Sequence, residues 1–352
     1  MFNFQFTDTV RHLFIILGSN LFAFAVGILF APILIDLLKF FNIKKQIRDT
    51  SMDGKVASLF HKLHIKKSGT PTMGGILVWG VALFVLVFGH AVYMLGLTDN
   101  SLINRNETYL PIFTLITTAL LGLIDDYFNI TGIGKCKGLN VKPKMFWLIL
   151  FAILGGWWFY YKLGINQIFI PFVGEIYLGW LYIPLFIFII IASANAVNFT
   201  DGLDGLAGGL CIIAFAALGV VSYVQSLVIL SAFCAIIIGA LSAFLWFNIP
   251  PAKFYMGDTG SLSLGATLGV IAMLTNSVVV YPLIMFMFVI ETLSVIIQLT
   301  SKKFRGKKVF HIAPLHHHFE HIGWPESQIT MRFWMIGGFV AALGLILRLT
   351  EM

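Results

Sequence analysis

Charge is scarce in this chain of 352 residues. Only 11% of its side chains are Asp, Glu, Lys or Arg, where a soluble domain carries about 25%, and 59% are hydrophobic. A water-soluble enzyme of the Rossmann or TIM-barrel type is excluded, because these residues cannot furnish its polar shell. Cysteine is also sparse: Cys136, Cys211 and Cys234 are odd in number, and two of them lie in apolar runs. That excludes a disulfide framework and a paired CxxC metal or redox motif. Walker A, DFG, HRD and HExxH signatures are missing too. The net charge of +7, in so apolar a chain, reads as a topology signal, and no nucleic-acid partner is expected.

What the chain has instead is long apolar runs, and roughly 20 apolar residues suffice to cross a bilayer. Runs lie near 13–38, 73–97, 111–127, 145–161, 181–197, 205–224, 227–247, 262–276, 278–300 and 333–349. They predict an all-α integral membrane protein: one polytopic domain over residues 1–352, a bundle of about ten transmembrane helices. The first run is too long for a signal-peptide core, with no basic run before it and no small-residue cleavage site after it, so it is expected to stay in the mature protein. Pro282 either starts or kinks the helix of the ninth run.

Lys and Arg resist translocation and so fix orientation. Nineteen of the 23 fall after odd-numbered spans or at the start of the last one, and only Arg11, Arg105, Lys162 and Arg348 fall on the other side. Both termini are therefore expected outside, with cytoplasmic loops at about 39–72, 128–144, 198–204, 248–261 and 301–332. On the outer side, 167–172 and 175–178 flank a Val173-Gly174 turn, the pattern of a small β-hairpin.

A carboxylate near the middle of a span costs roughly 2.5–3.5 kcal/mol, so acids in or beside apolar runs are functional suspects. Here they cluster. Asp125-Asp126 ends the third span, Asp201 and Asp204 follow the fifth, and Asp258 follows the seventh, all at cytoplasmic helix ends. In Gly122-Leu123-Ile124-Asp125-Asp126-Tyr127, neighbours on a helix point about 100° apart, so one Asp can face a metal or nucleophile while the other faces a basic partner. A plain solvated helix end explains them less well, because its dipole disfavours two acids. Asp201 and Asp204 share one face if their turn is helical, with Gly202 and Gly205 allowing close approach of a ligand. Capping accounts for one Asp there, not for two Asp, Asn195, Asn198 and Thr200 together.

Between Trp246 and Ser261, Asp258 can ligate a hard cation, while Gly257, Gly260 and the first amides of the next span can receive phosphate oxygens. Tyr255 or Phe254 offers a flat surface for a base, although an aromatic beside a span also suits the interfacial belt. The segment from Ala313 to His321 holds His316, His317, His318 and His321. Consecutive histidines do not converge on one zinc from a regular helix, and imidazoles suit phosphate binding or proton handling better. Lys44, Lys45 and Arg48 read as positive-inside residues, whereas Lys67 and Thr72, set in Lys66-Lys67-Ser68-Gly69-Thr70-Pro71-Thr72-Met73-Gly74-Gly75, are candidates for substrate phosphate. Acids, a hard-metal ligand, Lys and His at one cytoplasmic face describe phosphoryl transfer, where positioning and charge neutralisation dominate.

From about Lys44 to the last span the chain resembles the polyprenyl-phosphate N-acetylhexosamine-1-phosphate transferases. The resemblance rests on Gly69-Thr70-Pro71-Thr72-Met73-Gly74-Gly75, Asp125-Asp126, the stretch Asn198 to Leu206, Gly257-Asp258-Thr259-Gly260-Ser261 and the stretch Pro314 to Glu320. The first and last of these are similar to the branch that handles phospho-MurNAc-pentapeptide. The resemblance implies transfer of that group from UDP-MurNAc-pentapeptide to undecaprenyl phosphate in the bacterial inner membrane, giving lipid I and UMP with Mg²⁺. It implies a homodimer, a cytoplasmic-facing cleft and a periplasmic hairpin. Asp258 would hold Mg²⁺, Asp125 would be the acid/base or nucleophile, and Asp126 would support the site. Asn198, Asp201, Asp204, Asn248 and Tyr255 would meet the nucleotide or metal region. Lys67, Thr72, Lys144, His316, His317 and His318 would serve phosphates or sugar. The stretch from Asp49 to Lys66 is longer than in relatives and lacks their GPxSH string, and Phe199 and Tyr255 stand where Leu and Phe are common. The alternatives are a sister transferase using UDP-GlcNAc and a secondary transporter with carboxylates at its coupling-ion site.

Overall fold

The computed structural model describes residues 7–44, 69–98, 100–104, 107–132 and 141–350. Its helices are α1 (Asp8–Phe40), α2 (Gly75–Met94), α3 (Tyr109–Thr131), α4 (Val141–Tyr161), α5 (Tyr182–Thr200), α6 (Leu206–Val224), α7 (Val228–Asn248), α8 (Asp258–Leu274), the short α9 (Tyr281–Ile284), α10 (Phe286–Arg305), the short α11 (Leu315–His321) and α12 (Glu326–Leu349). Every predicted run holds a helix. Among the described residues, eight helices, α1 to α7 and α12, are long and apolar enough to cross a membrane. This is an all-α, multi-pass membrane protein.

Two of the predicted spans differ from that pattern. Helix α8 has 17 residues, and at 1.5 Å per residue that is about 25 Å, short of a hydrocarbon core of about 30 Å. It is enclosed by other helices, with residues 259–273 all buried. The predicted 278–300 run is broken: Pro282 lies in the first turn of α9, and α10 restarts at Phe286. Glu291 within α10, with Lys302, Lys303 and Arg305 in its last turn, makes it less apolar than its neighbours.

In lipid, helices gain little by hiding apolar surface from one another, so close contact needs small side chains. A Cβ at Gly265 would run into the backbone of Ser193 and Ala194 on α5, and one at Gly75 would overlap Gly260 where α2 crosses α8. The hydroxyls of Ser263 and Thr267 donate to carbonyls one turn back, each at 2.7 Å, so the buried helix carries no unsatisfied hydroxyl there. On α1, Leu13, Phe14, Leu17, Leu21 and Leu29 are exposed, as a lipid-facing helix requires.

The hairpin is present. β1 (Gln167–Ile170) pairs antiparallel with β2 (Gly174–Tyr177), Ile170 opposite Gly174. Its turn falls on Pro171, Phe172 and Val173, one residue earlier than predicted, because Gly174 closes the ladder and Phe172 takes the positive φ of 66°. The Phe169 amide donates to Asn276 Oδ1 at 2.9 Å, and the Arg348 guanidinium lies 4.3 Å from the Phe169 ring centre. These contacts tie the hairpin to the C-terminal end of α8, opposite Asp258.

Candidate active site

Neighbouring Asp125 and Asp126 part company within α3, which continues past the predicted end of its span to Thr131. Asp126 accepts the Asp258 amide at 3.1 Å and the Thr259 amide at 3.0 Å, capping α8 from a different helix. This corrects the expectation that those amides receive phosphate: a carboxylate already fills them, and the Gly260 and Ser261 amides turn back to the Gly257 carbonyl. Helix α3 runs on to Thr131, so neither acid sits in the last turn, where the dipole would disfavour it. Gly257 is doubly required. Its φ of 75° favours glycine, and a Cβ there would lie 2.6 Å from Asp126 Oδ2.

Asp125 faces a base instead. Lys144, at the start of α4, places Nζ 3.2 Å from Asp125 Oδ2 and in direct contact with Asp258 Oδ2. From α5, Asn198 Nδ2 donates to Asp258 Oδ1 at 2.8 Å and to Ser261 Oγ at 2.9 Å. Four helices thus deliver an acid–base–acid bridge with an amide orienting one acid. Close contact between α3 and α8 sets the spacing, since Gly122 packs on the Asp258 and Thr259 backbone. Gly122→Ala, whose Cβ would lie 2.5 Å from the Thr259 nitrogen, is expected to cost about 1–3 kcal/mol by overpacking. Thermal unfolding of the purified protein checks this, and an unchanged midpoint would count against the packing argument.

Beside the bridge is a cavity of about 110 Å³ lined by Thr72, Asp126, Asn129, Asn198, Asp201, Tyr255, Gly257 and Asp258. Backbone pairing builds its wall: the Tyr255 amide donates to the Pro71 carbonyl at 2.8 Å, and the Gly74 and Gly75 amides donate to the Tyr255 and Met256 carbonyls. The aromatic choice is settled by packing. Phe254 is buried against Phe244, ring centres 5.0 Å apart, while Tyr255 lines the cavity. Asn129, one turn beyond Asp125, was not singled out in the sequence although helical spacing puts it on the same face; its Oδ1 is buried without a hydrogen-bond partner.

Asp201 and Asp204 do not share a face, because α5 ends at Thr200 and the turn after it is not helical. Asp201 lines the cavity, whereas Asp204 Oδ2 accepts the Ala252 amide at 3.0 Å. Asn248 accepts the Gly205 amide and donates to the Phe254 carbonyl, so with Asp204 it holds the segment leading to Tyr255. Lys67 lies outside the described residues.

The histidines of this segment pack on one another in pairs but have different polar partners. His316 is fully buried beside Glu291, and its Nε2 faces Gly202, where a Cβ would overlap it. His317 Nδ1 is 2.9 Å from Glu320 Oε2. His318 stacks on His311 at 5.3 Å between ring centres. Partial burial, and then the neighbouring imidazoles of His311 and His321, hold the pKa of His318 below its ordinary value, so at neutral pH it offers a hydrogen bond rather than a charge. Glu291 was overlooked in the sequence, although a carboxylate inside an apolar run is the signal that marked the aspartates.

Known proteins bear on this geometry. Residues 109–276 match the model for glycosyl transferase family 4, and residues 67–77 match signature 1 of phospho-N-acetylmuramoyl-pentapeptide-transferase. The chain is 37% identical to the phospho-N-acetylmuramoyl-pentapeptide-transferase of Bacillus velezensis, over 94% of this chain and 97% of that one. It is 37% identical to the protein of that name from Pelagibacter ubique, over 97% and 95% of the two chains, and 40% identical to that of Orientia tsutsugamushi, over 92% and 90%.

Proposed function

Because this chain belongs to the phospho-N-acetylmuramoyl-pentapeptide transferases, we infer that it transfers phospho-MurNAc-pentapeptide from its UDP donor to undecaprenyl phosphate, releasing UMP and making lipid I for peptidoglycan. The observation that carries the chemistry is Lys144 held between Asp125 and Asp258 at the edge of a polar cavity. Either an oxygen of the lipid phosphate attacks the β-phosphorus of the donor directly, or Asp125 attacks it first and the lipid phosphate then displaces Asp125; in both, the bond from that phosphorus to the bridging oxygen breaks and UMP leaves with the electron pair. Two polyanions must meet for this, so fixed positive charge and alignment are the main requirements. Lys144 supplies charge, Asn198 orients Asp258, and Asp125 acts either as the base that takes a proton from the lipid phosphate or as the nucleophile that carries the phosphoryl group between substrates. Thr72, Asp201 and Tyr255 line the space where the nucleotide sugar would lie, with His316, His317 and His318 serving its phosphates or sugar; Lys67 is assigned to the same phosphates on its sequence motif alone.

We assign Mg²⁺ to Asp258, with Asp125 opposite. The residues fit such an ion. Among the described residues no three His, Cys, Asp or Glu converge as a closed metal cage, but two carboxylates face one positive charge. Mg²⁺ commonly takes one or two carboxylates and leaves its other positions to water and phosphate. Bound there, it would act as a Lewis acid and neutralise diphosphate charge. Excess chelator is expected to stop turnover, with Mg²⁺ restoring it and Zn²⁺ failing to do so; full activity in chelator would remove the metal from this account.

On the charge bias of the loops we propose that the site faces the cytoplasm and both termini the periplasm, which accessibility labelling of single cysteines in vesicles tests. A homodimer belongs to the same proposal on the strength of the sequence motifs, with cross-linking in membranes as its test. The decisive assay is UMP release that depends on undecaprenyl phosphate, with UDP-MurNAc-pentapeptide compared against UDP-GlcNAc. Turnover with UDP-GlcNAc alone would favour the sister reaction.

A further inference from the structure

We propose that Glu291 is the positioning residue of His316, holding one ring nitrogen so that the other is presented to substrate at the Gly202 edge of the site. The inference rests on the reading of His316 as a group that serves the transfer.

Both side chains are fully buried, at 0% exposure. One carboxylate meets His316 twice: Oε1 accepts its backbone amide at 3.1 Å, and Oε2 lies 3.1 Å from ring Nδ1. The ring contact is within hydrogen-bond distance but bent away from hydrogen-bond alignment, so Nδ1 is beside the carboxylate without a formed bond to it. Backbone and ring are thus referenced to a single group on α10, across the segment of chain between them. The ring also packs on His317, centres 4.1 Å apart.

The second nitrogen is the informative one. Nε2 is buried, has no hydrogen-bond partner in the protein, and is directed at Gly202, where a side chain would displace it. Gly202 adjoins Asp201, which lines the cavity beside Asp258. A buried imidazole with an unused nitrogen, packed on the residue next to one that lines a polar cavity, is a poor structural device, since an apolar pair of the same volume would pack without the desolvation cost. It is a sound functional one. A carboxylate on one imidazole nitrogen fixes the proton there and leaves a lone pair on the other. Nε2 then accepts a hydrogen bond from a protonated phosphate oxygen or a sugar hydroxyl of the bound donor.

Three measurements test this. In wild-type protein labelled with ¹⁵N-histidine, the His316 signals, identified by their loss in His316→Ala, should report a protonated Nδ1 and an unprotonated Nε2 at neutral pH. Glu291→Gln should lower kcat about 10–100-fold while KM for the donor changes by less than about threefold, in the range of a weakened acid–base contact. In the double-mutant cycle, Glu291→Gln should add no further loss to His316→Ala, because the two act as one unit. A proton on Nε2, an unchanged kcat in Glu291→Gln, or losses that multiply in the double variant would each overturn the proposal. If the variants do not fold, the wild-type spectrum decides alone. Failure of the transferase reading shows itself separately, as wild-type protein that releases no UMP.

Discussion

Asp258→Asn is expected to abolish UMP release, by about a thousandfold or more, in a protein that still folds in the membrane. The scale is that of removing one pre-organised charged group from a transition state that carries high charge. The fold should survive for a specific reason. What anchors this end of α8 is the Asp258 backbone amide, held with that of Thr259 by Asp126, and the substitution leaves that amide in place. An asparagine oxygen can still accept from Asn198. What is lost is the negative charge facing Lys144 and the proposed cation. Turnover and the thermal midpoint measured on the same preparation separate the two effects; near-normal turnover would remove Asp258 from the chemistry, and a collapsed midpoint would show that the charge also holds the fold.

Lys144→Met is expected to act on both at once. The Lys144 side chain is only 15% exposed and its ammonium stands between two carboxylates, the side chains of Asp125 and Asp258 being 10% and 27% exposed. Removing one member of a buried ion pair leaves uncompensated charge and costs about 3–5 kcal/mol. In chelator the variant should therefore unfold well below wild type, and turnover should fall at least about a hundredfold. Lys144→Arg should not restore turnover, because a planar fork does not replace a point charge between two facing acids. A Lys144→Met protein as stable as wild type in chelator would show that the ammonium does not hold Asp125 and Asp258 together.

The helices were legible in the sequence because a run of about 20 apolar residues needs no partner to be recognised. The length and enclosure of α8 were not, since they depend on Gly75, Gly122 and Ser193 of other helices coming close. Charge asymmetry placed Asp125, Asp201 and Asp258 at one depth, and the structure brings them to one cavity and its rim. That the two neighbours Asp125 and Asp126 would point apart was legible from helical geometry; which of them meets which partner was not. Asp125 meets Lys144 and Asp126 meets α8 only because of how α3 is rotated, which no local pattern encodes. Asp204 is similar: a non-helical turn sends it to the Ala252 amide rather than to the cavity. Asn129 and Glu291 were readable in principle, but each stands alone in its segment, and attention followed clusters.

The cap that Asp126 places on α8 spans 133 residues of chain. During synthesis, α3 emerges with Asp126 long before the amides that will donate to its carboxylate exist. Four further helices, α4 to α7, must leave the ribosome first. The bridge through Lys144 can therefore close only when α8 slots in as a late-arriving keystone.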